Sequence, residues 1–311
     1  MPQKIAIIGE CMLELSHRPN TQSDGPLPMA LSYGGDTLNT SIYLARLGIA
    51  VDYVTAVGDD NMSTWMMEQW RSEGVGCELV DRYANSVPGL YMIEIDERGE
   101  RSFHYWRDSS PARRIFDDAD NAYKLFTALC GYEWLYLSGI TLALYSESSR
   151  QRLFDLLVGY RKGGGKIIFD DNYRPKLWPN ETVAQENYKK IYQLADIALP
   201  TIDDERLLFG DRNQEAIVSR LQSWGVGEIA LKMGEHGCLV VSDSAMELVK
   251  PIKVTVIDTT SAGDSFNAGY LAARMIGHEP REAANAGQNL ASVVIQHRGA
   301  IIPSSAMPQG K

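Results

Sequence analysis

The chain has 311 residues, 44% of them hydrophobic and 23% charged, which suits a soluble globular protein with room for one large α/β domain or two ordinary ones. Its formal net charge of -10 argues against nucleic acid or an anionic membrane as a general partner, so an anionic ligand would have to meet locally gathered arginines. Cys11, Cys77, Cys130 and Cys238 are scattered without a CxxC or Cys/His cluster, and no histidine has metal-ligand spacing. No apolar run approaches membrane-spanning length, and Met1-Pro2-Gln3-Lys4 leads straight into a core strand rather than a signal peptide, so a reduced, cytoplasmic protein is expected.

Lys4-Ile5-Ala6-Ile7-Ile8-Gly9 is a continuous apolar run suited to a buried parallel strand, and the alternation in Glu10-Cys11-Met12-Leu13-Glu14-Leu15-Ser16 predicts a strand with one wet face. Residues 18 to 30 read as a loop. Tyr33-Gly34-Gly35-Asp36-Thr37-Leu38-Asn39-Thr40 then opens a helix with the apolar stripe Leu38, Ile42, Ala45 and a stop at Gly48. Residues 51 to 60 form another strand and turn, followed by a helix through Trp65, Met66 and Trp70.

Two strand-like runs, residues 88 to 95 and 101 to 107, flank a Gly-bearing turn at Asp96-Glu97-Arg98-Gly99-Glu100 and predict a β-hairpin. With the strand around residues 11 to 15 it falls outside a doubly wound parallel sheet, and both are assigned to a small antiparallel lid that would exclude water. From about residue 118 helical patterns alternate with apolar strands at 134–139, 166–170, 195–199 and 228–232, which predicts βα units and a mostly parallel sheet covered on both faces. Gly163-Gly164-Gly165 is a helix stop, and no Walker-type GxxxxGK[ST] motif or linker between domains is present, so residues 1–311 are expected to form one domain.

The most informative stretch is Asp258-Thr259-Thr260-Ser261-Ala262-Gly263-Asp264-Ser265-Phe266-Asn267-Ala268-Gly269. It follows the β-branched run Val254-Thr255-Val256-Ile257 and precedes the periodic apolar segment Phe266, Tyr270, Leu271, so it reads as a strand, a small-residue turn and a helix. That arrangement puts the amides of Ala262, Gly263 and Asp264 at a helix N-terminus, where unpaired donors attract an anion. A carboxylate there would repel a phosphate. It makes chemical sense if Asp264 takes the proton from a hydroxyl that attacks phosphorus. A plain strand-to-helix corner with a first-turn carboxylate accounts for the turn alone equally well.

The whole twelve-residue string resembles the second signature of the ribokinase-like (PfkB) carbohydrate kinases, and Gly34-Gly35-Asp36-Thr37-Leu38-Asn39 resembles the first. For the latter, an N-capped helix after a flexible loop is the alternative. Pro88-Gly89-Leu90-Tyr91, Tyr105-Trp106-Arg107, Leu137-Ser138-Gly139-Ile140, Asp171-Asn172-Tyr173-Arg174-Pro175 and residues 294 to 300 extend the similarity over nearly the whole chain, toward the members that phosphorylate a keto-deoxy sugar acid. The resemblance implies a ribokinase-like fold with lid strands from about 11–33 and 87–110. It also implies transfer of the ATP γ-phosphoryl group to the 6-hydroxyl of 2-keto-3-deoxy-D-gluconate.

By the same resemblance Gly34, Gly35, Asp36, Thr37, Leu38, Tyr91, Tyr105, Trp106, Arg107, Arg174 and Asp264 hold the sugar acid. Ala262, Gly263 and Asp264 carry the catalysis, and Asn172, Lys232, Gly234, Gly237, Ser261, Ala262, Gly263 and Asn289 (with Ser292 nearby) border ATP. Two arginines converging on a substrate suit a carboxylate, since the guanidinium fork matches a planar anion; two surface arginines paired to nearby acids are the bland alternative. Tyr91 and Tyr105 serve equally well as strand-face packing aromatics.

Magnesium is expected with ATP. Where many relatives carry Asn-x-x-Glu, however, this chain has Pro200-Thr201-Ile202-Asp203-Asp204-Glu205, so the resemblance assigns no metal ligands. The superfamily admits a monovalent cation such as K+ beside the loop at Asp258, and an exposed lid edge suggests a homodimer through the lid. Kinases for a neutral sugar or a nucleoside, and a non-catalytic sensor on the same scaffold, are the rival readings.

Overall fold

The computed structural model describes residues 4–17, 25, 27–95, 101–242 and 245–308. The first apolar run forms strand β1 (Lys4–Ile8), and its period-two alternation divides the core. Ile5 and Ile7 face one hydrophobic layer, while Ala6 and Ile8 face the other. Three residues later the chain rises into β2 (Met12–His17), returns as β3 (Met29–Gly34), and passes through Gly35 into α1 (Asp36–Arg46). The chain then forms β4 (Ala50–Gly58), α2 (Asn61–Ser72) and β5 (Val80–Tyr83), followed by the hairpin β6 (Leu90–Ile95) and β7 (Arg101–Trp106). The predicted turn at 96–100 lies outside the described residues.

The second half alternates helix and strand as the pattern predicts: α3 (Ala119–Leu129), β8 (Trp134–Ser138), α4 (Gly139–Leu144), α5 (Glu147–Lys162), β9 (Lys166–Asp170), α6 (Glu181–Tyr192), β10 (Ile197–Ala198), α7 (Ile202–Phe209), α8 (Gln214–Ser223) and β11 (Glu228–Lys232). Strands β12 (Cys238–Ser242) and β13 (Ala245–Val249) then run antiparallel beside β11 before α9 (Ala262–Met275) and α10 (Pro280–Val294) close the fold.

Among the described residues the large sheet has nine strands in the order β13-β12-β11-β10-β9-β8-β1-β4-β5, parallel from β11 through β5. Strand order reverses at β1: the chain first moves outward to β4 and β5, then restarts at β8 and moves the other way. A crevice opens at the carboxyl ends of the strands flanking such a switch point. Glu10, Ser138 and Asp170 all sit at those ends. The lid is a separate four-stranded sheet, β3-β2-β6-β7, mixed rather than antiparallel throughout because β2 and β6 run parallel, and tied to the crevice because β2 leaves directly after β1 and β3 delivers the chain to α1.

Two other expectations change. Val254 to Ile257 form no strand: the amides of Ile257 and Asp258 donate to the Ile295 carbonyl, just past α10, and Val256 and Ile257 are 54% and 58% exposed. β-Branched residues favour strands where a pleated, half-buried surface receives them, and residues 254–257 pair with no strand. The predicted loop at 18–30 ends earlier than expected, because Met29 and Ala30 already pair with His17 and Ser16 in the lid; residues 18–24 lie outside the described residues.

All four cysteines are free, with only Cys130 exposed, and no helix among the described residues is long and apolar enough to cross a membrane.

Candidate active site

Asp264 lies in the first turn of α9. Its Oδ2 accepts hydrogen bonds from Asn39 Nδ2 (2.8 Å) on α1 and from Ser261 Oγ (2.9 Å). Thr40 Oγ1 adds a bond to the Asp264 carbonyl at 3.3 Å. Ser261 adopts a left-handed conformation (φ 62), which turns the chain sharply enough to set the carboxylate beside the helix end. Of the three amides expected to form the anion hole, that of Ala262 is committed to the Thr259 carbonyl (3.2 Å). Those of Gly263 and Asp264 remain as the open donors of the first turn.

Burial pushes the Asp264 carboxyl up to about 7, and the Asp36 charge adds to the rise; the Asn39 hydrogen bond opposes it, and Asp170 raises it further. A carboxylate poised there can accept a proton near neutral pH. Asp36, at the first position of α1, accepts from Asn172 Nδ2 at 2.8 Å and is itself held above the ordinary carboxylate range, chiefly by burial. The Asn172 side chain, expected beside the nucleotide, thus also meets the carboxylate at the entry to α1.

The glycines before α1 mark close approaches. A Cβ on Gly34 would strike the Tyr91 hydroxyl, and one on Gly35 would strike the Glu10 carbonyl oxygen. Gly35 has extended backbone (φ 174), so proximity rather than conformation selects glycine. Gly35→Ala is therefore expected to displace the entry to α1. It should lower kcat/KM by at least about tenfold, with a fall in Tm; steady-state kinetics and a thermal melt of the variant check both.

Thr37 and Leu38 do not face the crevice. Leu38 is fully buried in the core, and the Thr37 hydroxyl is spent on Tyr53 (2.9 Å). Successive residues of a helix turn through 100°, so Asp36, Asn39 and Thr40 share one side, and Asn39 and Thr40 meet Asp264 there. Asn39 holds Asp264.

On the lid, Tyr91 donates to the Glu14 carboxylate and its ring lies 5.9 Å from that of Tyr105. Burial raises the Tyr105 phenol while the charges of Arg107 and Arg174 both oppose the rise; the Arg107 guanidinium lies over the Tyr105 ring, 5.8 Å from its centroid. The two arginines are unequal. Arg107 is buried and ion-paired with Glu10. The Arg174 side chain is 53% exposed, donates to the Tyr173 carbonyl (2.9 Å), and stands 3.8 Å from Asp204. Trp106 is exposed.

On the nucleotide side, Lys232 ends β11 with its ammonium turned toward Asp170 (2.7 Å). Gly234 (φ 53) and Gly237 (φ 97) shape the β11–β12 turn, a hairpin as its glycines also allowed. Asn289 is exposed on α10, whereas Ser292 is buried and bonds the Asn289 carbonyl (2.8 Å).

In the departing motif, the Thr201 amide caps Asp171 (2.7 Å), Asp204 accepts from the Tyr173 amide (3.2 Å), and Glu205 is buried against Tyr192 and Arg220. Among the described residues no group of three or more His, Cys, Asp or Glu is placed to hold a metal ion. The Asp258 carboxylate accepts from Thr260 and from the Gly299 amide (2.9 Å). Glu10, Glu14 and Asp170 escaped the sequence reading. The signal for Glu10 and Asp170 was their place just past, or at the end of, an apolar strand run.

A mostly parallel sheet with a β lid, and a carboxylate beside open amides at a helix N-terminus, define a phosphotransferase of the ribokinase-like fold. Solved structures that superpose on it include 2-dehydro-3-deoxygluconokinase from Thermotoga maritima (TM-score 0.85, 20% identical, covering 97% of this chain and 95% of that one). A putative ribokinase II from E. coli in complex with ATP and Mg2+ has a TM-score of 0.83 at 19% identity, covering 96% and 94%. Residues 2–307 match the family described as pfkB family carbohydrate kinase. 2-Dehydro-3-deoxygluconokinase of Escherichia coli (strain K12) is 45% identical over 316 residues, spanning 99% of this chain and 100% of that protein. The chain belongs to the pfkB family of carbohydrate kinases.

Proposed function

We propose that the enzyme transfers the γ-phosphoryl group of MgATP to the 6-hydroxyl of 2-keto-3-deoxy-D-gluconate, also called 2-dehydro-3-deoxy-D-gluconate, by direct in-line displacement. Asp264 takes the hydroxyl proton as the oxygen bonds to phosphorus; the bond between phosphorus and the β–γ bridging oxygen breaks, and ADP departs. The open amides of Gly263 and Asp264 face charge on the moving group, and Arg174 with Arg107 receives the sugar carboxylate. One observation carries the reading: the Asp264 carboxylate is held by Asn39 and Ser261 where the sugar-side entry to α1 meets the N-terminus of α9.

The substrate class is supported by the 45% identical relative and by the positive charges of Arg107 and Arg174, both of which act on the Tyr105 phenol. The lid sheet, with β3 and β7 at its edges, is the surface expected to pair in a homodimer. The substrate is tested by measuring ADP release with keto-deoxygluconate, fructose and adenosine at equal concentration. The sugar acid should be preferred by roughly 10² or more in kcat/KM; preference for fructose or adenosine would overturn the assignment.

A further inference from the structure

Behind the catalytic turn lies a closed ring of buried polar side chains that the proposed chemistry does not use. The Lys232 ammonium donates to Asp170 Oδ1 at 2.7 Å and to Asn267 Oδ1 at 3.1 Å. Asn267 Nδ2 donates to the Tyr136 hydroxyl at 3.1 Å, and that hydroxyl donates to Asp170 Oδ2 at 3.3 Å. The members come from β8, β9, β11 and α9, and each is buried. As a stability device such a ring is a poor choice, since well-packed apolar residues of similar volume commonly do as well or better. Its position suggests another use. A Cβ placed on Gly263 would lie 3.8 Å from Lys232 Nζ, so the ammonium sits directly against the turn that carries the open amides.

We propose that Asp170, Asn267 and Tyr136 are positioning residues that hold the Lys232 ammonium as a fixed positive charge beneath the Gly263–Asp264 turn, where it favours phosphoryl transfer. Lysine is a flexible point charge on a four-carbon stem; two partners on different elements, Asp170 and Asn267, both bonded in turn to Tyr136, give it one location. A preset charge needs no reorganisation as negative charge gathers on the transferring group. The inference rests on reading Asp264 as the base.

The ionisable groups whose charge acts on Asp264, or on which its charge acts, are Asp36 and Tyr43 from α1, Asp170 from β9, Tyr136 from β8 and Lys232 from β11. Asp170 raises the Asp264 carboxyl, and Lys232 opposes it, since Asp264 in turn raises the lysine. A ring with only a structural role would change the melting temperature when broken but leave the pH profile and the saturated rate of the folded enzyme unmoved.

The test is the pH profile of the full-length enzyme with both substrates saturating. In Asp170→Asn the acidic limb should move to lower pH by roughly half a unit or more, because a like charge has gone. Plateau turnover should fall roughly tenfold as the lysine loses its anchor, with the sugar-acid KM within about twofold of wild type. Asn267→Leu, which removes no charge, should leave the limb in place and lower the plateau severalfold; it decides the matter if Asp170→Asn does not fold. Wild-type limb and plateau in Asp170→Asn, or a wild-type plateau in Asn267→Leu, would overturn the proposal. Loss of activity in Asp264→Asn alongside those wild-type profiles would leave the base assignment standing, whereas an active Asp264→Asn would remove the base assignment itself.

Discussion

Replacing Asp264 with asparagine is expected to lower turnover by roughly 10² to 10⁴ while leaving both KM values near wild type. The amide oxygen can still accept from Asn39 Nδ2 and Ser261 Oγ, so the geometry of the first turn of α9 survives and only the proton acceptor is lost. The same group sets the pH dependence of the wild type. With its carboxyl pushed up to about 7, chiefly by burial and then by the Asp36 charge, the base is half protonated near neutrality, and the rate should climb from pH 6 to pH 8.

A second readout is independent of catalysis. Between the ordinary carboxylate value of 3.8 and about 7 the unfolded chain has released this proton while the folded chain keeps it. Folding stability therefore falls as pH rises through that window. Asp264→Asn removes the cost, so its Tm should exceed that of wild type above pH 7, and the gap should close toward pH 4. A variant that turns over normally, or that loses activity only because it melts earlier, would show that Asp264 is not the base.

Removing the Arg174 guanidinium is expected to raise the KM for the sugar acid by roughly 10- to 100-fold, the size of a lost charge-assisted contact of about 1.5–3 kcal/mol. The KM for ATP and the saturated rate should stay close to wild type. Arg174 suits this role better than Arg107 because its present partners are weak: the 3.8 Å approach to Asp204 is half-exposed and screened by solvent, and the other contact is a backbone carbonyl. Arg107 is already committed to Glu10. An unchanged sugar-acid KM in Arg174→Ala, measured beside fructose as a neutral control, would place carboxylate recognition elsewhere.

The chemistry-bearing turns were legible because each is a local string. A left-handed Ser261, a glycine and a first-turn carboxylate lie within four residues, and the Gly34-Gly35-Asp36 entry is equally short. The central strands were legible because strands buried on both faces read as unbroken apolar runs, as in Ile5 to Ile8 and Ile167 to Phe169. Val254 to Ile257 has the same composition and misled, since what makes a strand is a neighbour with free ladder groups. Strand β13 escaped notice for the opposite reason: most of it is exposed, so it carries no burial pattern.

By itself the sequence determined a large, mostly parallel sheet with helices on both faces, the hairpin of the lid, and the two turns whose residue types suit a hydroxyl, a proton acceptor and a phosphate. Only the tertiary structure decided which residues meet: that Asn39 holds Asp264 across 225 positions of sequence, that Asn172 meets Asp36, and that Asp170 fixes Lys232 under the turn. Local strings fix backbone conformation and proton chemistry because those depend on near neighbours. Which charge stands beside which depends on the strand order and on the face each helix buries, and these are settled only when the whole sheet is packed.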